Sequence, residues 1–297
     1  MSHIPVLLHK TIDSLALKVG DVYFDGTLGS GGHISEVCKR FGENVKLIGV
    51  DRDGTALTRT KNTLGDMGCT ADLYKDNFCN IISVINKSGL EKVDKVVLDL
   101  GTSTDQIEFS GRGFSFLRQE PLLMTLDDDP EATSLTAYEI VNSWDENRLA
   151  DIIFKYGDEV NSRRIAKAII ERRKKTKINT SLELGILIEE AIGRHGKIHP
   201  ATKTFQALRI MVNDELGFLE EALGNVWKCL NNNGRLAIIT FHSHEDRIVK
   251  KYFKFQEENG LGENIFKKPV SPEREEVIIN PRSRSAKLRV IKKNELS

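Results

Sequence analysis

A small set of glycines, acids and one aromatic residue could together bind a nucleoside. Most of them follow short apolar runs in the first third of the chain. Glycines let the backbone approach a ligand closely, and an acid about 20 residues further on can accept hydrogen bonds from ribose hydroxyls. An aromatic ring can pack against a base. The candidates are Gly31, Gly32, His33, Asp51, Phe78, Asp99 and Gln106.

The glycine turn differs from that of a dinucleotide site. Gly29-Ser30-Gly31 begins a G-x-G pattern, but Ile34 stands where the third glycine would fall. Asp25 opens the turn, and its charge would repel a pyrophosphate. A ligand with a positive centre and no phosphate fits better, which points to S-adenosylmethionine, with its sulfonium, amino group and ribose. A structural glycine turn in another α/β fold is the alternative.

Five of these seven candidates have an expected role. The glycines would admit the methionyl group, Asp51 would accept from the ribose hydroxyls, and Phe78 would pack on the adenine. Asp99 would lie near the amino group or near the incoming methyl acceptor. Taken singly, Asp51 could instead cap a helix and Phe78 could belong to the core, but their common register favours one site.

The elements that must position these residues alternate between strand and helix. Buried strands are predicted at 22–25, 46–51, about 70–75 and 93–99, with a helix at 34–41. The fourth run is continuously apolar up to its acid, as expected of a central parallel strand buried on both faces. Open parallel sheets bind ligands beyond the carboxyl ends of their strands. The predicted fold class is therefore α/β, with a Rossmann-like sheet.

The middle of the chain interrupts this alternation. From about 105 to 200 no strand pattern is convincing, and helical periodicity predicts helices at 146–156, 162–174 and 181–194. Further elements then follow: a helix at 205–223, a turn at 231–234, a strand at 235–241, a helix at 245–255, and strands at 277–279 and 287–292.

This order predicts a discontinuous domain with an insertion. We expect residues 1–105 and 201–297 to form the sheet domain. Residues 106–200 would form a helical domain inserted between the fourth and fifth strands. A lid or substrate-recognition domain is the natural interpretation of such an insertion.

Composition describes a soluble globular protein, with 39% hydrophobic and 29% charged residues. No apolar run approaches the roughly 18 residues of a membrane span, and a signal-peptide core is lacking. We expect a cytoplasmic protein that does not contact a membrane. The four cysteines show no C-x-x-C spacing, which predicts reduced, mostly buried thiols rather than a zinc site or disulfides.

Charge is balanced overall but concentrated in two basic segments. The 43 lysines and arginines equal the 43 acids. Residues 163–177 nevertheless hold eight basic residues and one acid, and residues 280–293 hold six basic residues and no acid. Such segments can bind phosphates even on a neutral protein. A solvated helix face is the alternative for 163–177.

A cluster of polar residues at His242 to Asp246 combines potential metal ligands with a hydroxyl. No third ligand at a suitable spacing supports a metal site, so none is expected. Ser243 lacks the G-x-S-x-G turn of hydrolases. Because the cluster lies between a strand and a helix, His242 and Ser243 can also line the crevice.

The motifs and their order resemble the RsmH (MraW) family over nearly the whole chain. The matching stretches include His3 to Leu8, Asp25 to His33, Leu98 to Gly101, Arg112 to Phe116, His199 to Thr202, Phe205 to Ile210, Val212 to Leu216, Phe241 to Ser243, Glu245 to Lys250, Asn280 to Arg282 and Arg284 to Arg289.

Members of this family are bacterial methyltransferases that act on N4 of a cytidine in small-subunit ribosomal RNA. The resemblance implies a methyltransferase sheet with an inserted helical domain, bound S-adenosylmethionine and a homodimer. The implied substrate is small-subunit ribosomal RNA or the small ribosomal subunit. The family's cofactor positions fall on the seven candidate residues given above.

The chain departs from the family's pattern at several positions. Ser30 replaces a glycine, Lys203 an arginine and His244 a leucine. Where the family has Ser-Ser-x-Gln, residues 102–106 read Thr-Ser-Thr-Asp-Gln, so the hydroxyl groups stand at different positions. The family's Pro-Leu-Asp-Met-Arg-Met-Asp reads Pro-Leu-Leu-Met-Thr-Leu-Asp at 121–127. Cofactor binding should persist without this acid and arginine, whereas substrate positioning or turnover could be altered.

Asp99 is the candidate for proton transfer in such a reaction. The N4 amine is a poor nucleophile because its lone pair is delocalised into the ring. A carboxylate that accepts an N4 hydrogen would localise that pair and then take the proton. The base must also leave its stack to reach the crevice. The alternatives are a cofactor-binding but weakly catalytic RNA-binding or ribosome-assembly protein, and a small-molecule methyltransferase.

Overall fold

The computed structural model describes residues 5–101, 110–128, 135–194 and 198–295. The helices and strands, in chain order, are α1 (Leu8–Leu15), β1 (Val22–Asp25), α2 (Gly32–Phe41), β2 (Lys46–Asp51), α3 (Gly54–Asp66), β3 (Asp72–Lys75), α4 (Ile81–Lys87), β4 (Val93–Asp99), α5 (Ala137–Ser143), α6 (Glu146–Gly157), α7 (Ser162–Lys175), α8 (Ser181–Ile192), α9 (Ala201–Asn213), α10 (Glu215–Cys229), β5 (Leu230–Thr240), α11 (Ser243–Glu258), β6 (Gly262–Asn264), α12 (Arg274–Ile279) and β7 (Lys287–Lys293).

The chain divides into two units. The sheet unit comprises Met1–Thr102 and Leu216–Ser297, and the helical unit comprises Ser103–Glu215. The helical unit lies between β4 and β5 in chain order, and the predicted domain bounds of 1–105, 106–200 and 201–297 stay a prediction. Helix α9 belongs to the helical unit because it packs on α6 and contributes to the helical core.

The sheet unit holds a seven-stranded sheet in the order β3-β2-β1-β4-β5-β7-β6. Strands β1 to β5 run parallel, whereas β7 pairs antiparallel with both β5 and β6. The predicted fold class, α/β with a Rossmann-like sheet, is confirmed. The carboxyl ends of β1, β2 and β4 lie side by side, which brings the candidate acids to one edge.

Apolar cores cover both faces of this sheet. Successive residues of β4 alternate between them: Val96 and Leu98 enter one core, and Val97 enters the other. Helices α1, α2 and α3 fill the Val97 side, and α4, α10 and α11 fill the opposite side. Burial on both faces explains why this strand has a continuously apolar sequence.

Cys38 and Cys69 form a disulfide between α2 and the turn after α3. Their Cα atoms are 6.2 Å apart, although the sequence separation is 31. The prediction of four reduced thiols is therefore wrong for this pair, whereas Cys79 and Cys229 are buried and free. The packing of α2 against α3 brings the two positions together, and sequence spacing does not report that packing.

Two predicted elements near β5 and β7 differ from the structure. Residues 277–279, predicted as a strand, form the end of helix α12. The predicted turn at 231–234 lies inside β5 as an irregularity. Val93 of β4 pairs with Leu230 but Lys95 pairs with Arg235, so the register shifts and residues 231–234 of β5 form a bulge.

The helical unit packs α5 to α9 around its own core. The helices predicted at 146–156, 162–174 and 181–194 are confirmed as α6, α7 and α8. The predicted helix at 205–223 is instead two helices, because Asp214 adopts a left-handed conformation with a φ of 47°. Among the described residues, no helix has the length and apolar character needed to cross a membrane.

Replacing Gly113 by alanine is expected to destabilise the helical unit by about 2–5 kcal/mol. Gly113 has a φ of +77°, and a Cβ there would lie 2.2 Å from the Pro121 carbonyl oxygen. Left-handed strain and overpacking both contribute to this cost. Gly111 is the matched control, since its φ is +67° but a Cβ meets no atom within 4 Å. Gly111→Ala should cost only about 1–2 kcal/mol. Equal losses for the two variants in denaturant unfolding would show that the contact with Pro121 is unimportant.

Candidate functional site

Gly31 and Gly32 are required by packing around the turn that links β1 to α2. Gly31 has a φ of +76°, and a Cβ there would lie 2.6 Å from Thr60 Oγ1 on α3. A Cβ on Gly32 would lie 1.9 Å from Pro5. The two glycines therefore let α2 begin close against its neighbours at the carboxyl edge of the sheet.

Asp51 connects this turn to the next two strands. Its Oδ2 accepts from Gly29 N at 2.8 Å, and its Oδ1 accepts from Asp53 N at 2.9 Å. Its backbone carbonyl accepts from Asp76 N at 3.1 Å. The capping role considered for Asp51 is performed by Asp53, whose carboxylate accepts from Thr55 N at the start of α3.

Asp25 and Asp99 end the adjacent strands β1 and β4 and are joined through Thr27. Thr27 N donates to Asp25 Oδ1 at 3.2 Å, and Thr27 Oγ1 accepts from Asp99 N at 2.6 Å. Asp25 is only 1% exposed and also accepts from the Tyr23 hydroxyl at 3.3 Å. The Asp99 side chain is 20% exposed, and its Oδ1 accepts from Gly101 N at 3.3 Å.

The pKa of each of these two carboxyls is raised, mainly because burial disfavours the ionised form. The pKa of Asp25 rises to about 7, with the charge of Asp51 adding to the effect of burial. The pKa of Asp99 also rises to about 7, and the charges of Asp25 and Glu245 add to the effect. A cation beside them would favour the ionised forms. The edge is therefore suited to a positively charged ligand.

The structure places the other predicted residues around this edge. His33 is buried, and its Nδ1 lies 4.0 Å from Asp99 Oδ2. Phe78 is half-buried and packs on the α4 side of the sheet, next to Gly26. Gln106 lies outside the described residues. The edge thus brings together Gly31, Gly32, His33, Asp51, Phe78 and Asp99.

Sequence reasoning missed the positions of Asp25 and Thr27 within this network. Asp25 served only as an argument against a pyrophosphate ligand, although it ends a strand as Asp51 and Asp99 do. Its position at the end of a strand could have identified Asp25 as a site residue from the sequence. Thr27 had no signal, because its contact with Asp99 depends on the pairing of β1 with β4.

His242 is the N-cap residue of helix α11. Its Nδ1 accepts from Glu245 N at 3.4 Å, and its Nε2 lies 3.0 Å from Glu245 Oε1. Glu245 is buried, and its Oε2 accepts from Phe241 N at 2.8 Å. Glu245 Oε2 also accepts from His242 N at 3.3 Å. This bond and the one from Glu245 N to His242 Nδ1 make a capping box, which accounts for the histidine–glutamate spacing.

Three basic residues of the C-terminal segment 280–293 make contacts within the sheet unit. Lys287 and Arg289 both contact Asp246, at 3.1 Å and 2.8 Å. Lys293 donates to the carbonyls of Trp227 and Leu230. Binding of phosphates by this segment therefore stays a prediction that concerns chiefly the exposed Arg282 and Arg284.

Segment 121–127 lies in the helical unit, with Leu122, Met124 and Thr125 buried. Arg112 Nη1 donates to the Leu126 carbonyl at 2.9 Å, and Asn213 Nδ2 donates to the Met124 carbonyl at 2.8 Å. Thr125, where the family pattern has arginine, is fully buried, and its hydroxyl donates to the Asp127 carbonyl at 3.1 Å. The replacement therefore fits its surroundings without an unpaired charge.

The sheet order and the acids at the carboxyl ends of β1, β2 and β4 define a Rossmann-like methyltransferase. A family model described as the MraW methylase family matches residues 1–294. The chain belongs to this family.

Curated relatives match along nearly their whole length. Ribosomal RNA small subunit methyltransferase H of Clostridium botulinum (strain Kyoto / Type A2) is 43% identical over 310 residues, covering 98% of each chain. The protein of the same name from Syntrophus aciditrophicus (strain SB) is 41% identical over 305 residues, covering 97% of this chain and 96% of its own. Among solved structures, an rRNA methylase from Streptococcus thermophilus covers 99% of each chain, with a TM-score of 0.48 and 13% identity.

Proposed function

We propose that this protein transfers a methyl group from S-adenosylmethionine to N4 of a cytidine in small-subunit ribosomal RNA. The observation that supports the methyl donor is the row of carboxylates at the carboxyl ends of β1, β2 and β4. The names of the relatives support the RNA substrate. The resemblance to the RsmH (MraW) family supports the choice of N4.

The chemistry of the donor set fits S-adenosylmethionine. When bound, this cofactor supplies a methyl group already activated by the sulfonium. Asp51 is suited to accept from ribose hydroxyls, and Asp25 and Asp99 favour positive charge. Phe78 offers an apolar ring for the adenine, and Gly31 and Gly32 keep the turn free of side chains. Gln106 is retained as a proposed cofactor contact from the family pattern.

Asp99 is proposed to act on the acceptor amine. Its carboxylate would accept an N4 hydrogen, which localises the nitrogen lone pair, and would take the proton once the N–CH₃ bond has formed. A pKa of about 7 suits a general base at neutral pH. The rest of the edge aligns the two reactants, which is the main requirement for displacement at an activated methyl group.

The helical unit is proposed to recognise the RNA. Exposed cations lie along α7 and just after it at Arg163, Arg164, Lys167, Lys174, Lys175 and Lys177. The target base would leave its stack to reach the donor. The proposal includes a cytoplasmic location, which the composition supports, and a homodimer, which the family resemblance implies.

A second function is favoured by one observation. Segment 121–127 lacks the acid and the arginine of the family pattern, as Leu123 and Thr125 show. A protein that binds the cofactor but turns over slowly, and acts chiefly in RNA binding or ribosome assembly, would tolerate that loss. The buried, satisfied environment of Thr125 is compatible with either function.

Label transfer tests the two functions against each other. Purified protein is incubated with methyl-labelled S-adenosylmethionine and with small ribosomal subunits from a strain that lacks the endogenous enzyme. Free ribosomal RNA and small-molecule amines serve as comparison acceptors. Label in ribosomal RNA supports the enzyme. Cofactor binding by calorimetry without label in any RNA, across subunits at several stages of assembly, would favour the weakly catalytic protein.

A further inference from the structure

The helical unit carries a surface on which cations lie over aromatic rings. Arg148 Cζ lies 3.6 Å from the centroid of the Trp144 ring, and Lys177 Nζ lies 5.8 Å from that of Tyr138. Both rings are half-buried and pack on the helical core, whereas Arg148 and Lys177 are exposed. A guanidinium so near a centroid covers the ring face. Arg148 as a whole is exposed to solvent.

Hydrogen bonds join the segments that carry the two pairs. Asn142 on α5 accepts from Ile178 N at 3.0 Å and donates to the Ile178 carbonyl at 2.9 Å. Arg173 on α7 donates to the Val141 carbonyl of α5 at 2.7 Å. These bonds fix the end of α7 and the residues after it against α5. Helix α5 and its C-terminal cap provide both aromatic rings.

The charge of this surface is complementary to a polyanion. Helix α7 has one acid, Glu171, which pairs with Lys174 at 2.8 Å. The exposed cations of α7 precede Lys177 in the chain. The nearby acids Asp145 and Glu139 each accept from the first turn of their own helix. They are thus engaged at helix N-termini. Asp145 also interacts electrostatically with Arg173, which is half-buried and is not one of the exposed cations.

We propose that this surface binds single-stranded RNA, with an unpaired base stacked on the Arg148 guanidinium and phosphates bound by the cations of α7. The inference rests on the proposed function, which supplies the RNA. Unpaired bases stack on aromatic rings and on arginine guanidinium groups. Arginine is weakly hydrated and suits such stacking better than lysine. Trp144 supports the guanidinium from behind, so that a base meets a group already in place.

A charge-preserving substitution separates stacking from simple attraction. Arg148→Lys keeps the positive charge and removes the planar group. Binding of a labelled single-stranded fragment of small-subunit ribosomal RNA is measured by fluorescence anisotropy over a range of salt concentrations. Arg148→Lys should bind about tenfold more weakly with an unchanged salt slope. The double variant Lys174→Ala and Lys175→Ala should lower the slope by about 0.7 for each lost phosphate contact.

The control is Arg194→Lys, at an exposed arginine of the same unit that lies 3.9 Å from Glu189. It should bind as the wild type does, and a duplex RNA of the same sequence should not distinguish Arg148→Lys from the wild type. Unchanged single-strand affinity in Arg148→Lys, together with methylation of RNA by the wild type, would overturn this inference alone. Failure of the wild type to methylate any RNA, with the single-strand affinity still lost in Arg148→Lys, would overturn the proposed methyl transfer but not this inference, because a weakly catalytic RNA-binding protein would use the same surface.

Discussion

Replacing Asp99 by asparagine is expected to slow methyl transfer to RNA by about a hundredfold or more while the protein stays folded. Asparagine keeps the size of the side chain and can still accept from Gly101 N, as Asp99 Oδ1 does. It cannot take the proton from the acceptor amine. Single-turnover transfer at saturating S-adenosylmethionine measures the chemical step, and calorimetry measures cofactor affinity separately.

Asp72→Asn is the matched control for this variant. Asp72 is the first residue of β3 and so lies at the amino ends of the parallel strands, away from Asp99 at their carboxyl ends. It pairs with Lys46 at the surface. It should leave the transfer rate unchanged. If Asp99→Asn weakens cofactor binding but transfers methyl at the wild-type rate once saturated, then Asp99 serves the cofactor and not the acceptor.

Affinity for S-adenosylmethionine is expected to fall as the pH drops below about 7, by about tenfold per pH unit for each proton displaced. The pKa values of Asp25 and Asp99 are raised to about 7 in the free protein, mainly by burial. A cationic donor binds best when these groups are ionised. Binding therefore expels protons below about pH 7 and none well above it. Calorimetry in two buffers of different ionisation enthalpy counts these protons.

The neutral thioether product gives the internal comparison. S-adenosylhomocysteine carries one positive charge fewer than the donor, so its affinity should depend less on pH. Asp25→Asn should weaken the pH dependence and move its midpoint lower, because the charge of Asp25 raises the pKa of Asp99. The same pH dependence for donor and product would mean that these carboxyls do not sense the sulfonium.

The sheet was predictable because its physical causes are local. Strands β1, β2 and β4 have the predicted bounds, since each is an apolar run that ends in an acid. Parallel pairing then requires the acids to meet at one edge. The candidate site followed from this reasoning, although Asp25 was not recognised as part of it.

The errors arise where tertiary structure overrides local preference. The Val-Ile-Ile run at 277–279 has the composition of a strand, yet it ends a helix whose Glu276 accepts from Leu7 N at 2.7 Å. That contact joins residues 269 positions apart. No local pattern in the sequence could have reported it.

The break at Asp214 was hidden for a different reason. Apolar periodicity continues across it, and neither glycine nor proline marks it. Aspartate tolerates the left-handed conformation better than most residues do. Arg209 and Glu215 form a two-point ion pair at this break, at 2.7 Å and 2.9 Å. This break is the reason why α9 and α10 were predicted as one helix.

Mass spectrometry of the methylated nucleoside tests the central claim most directly. Small ribosomal subunits that lack the endogenous methylation are treated with the protein and deuterium-labelled donor, digested to nucleosides and separated by chromatography. We expect labelled N4-methylcytidine, resolved from C5-methylcytidine and from 2′-O-methylcytidine. Label confined to another nucleoside, or to another position on cytidine, would contradict the proposed acceptor and the assignment of Asp99 as its base.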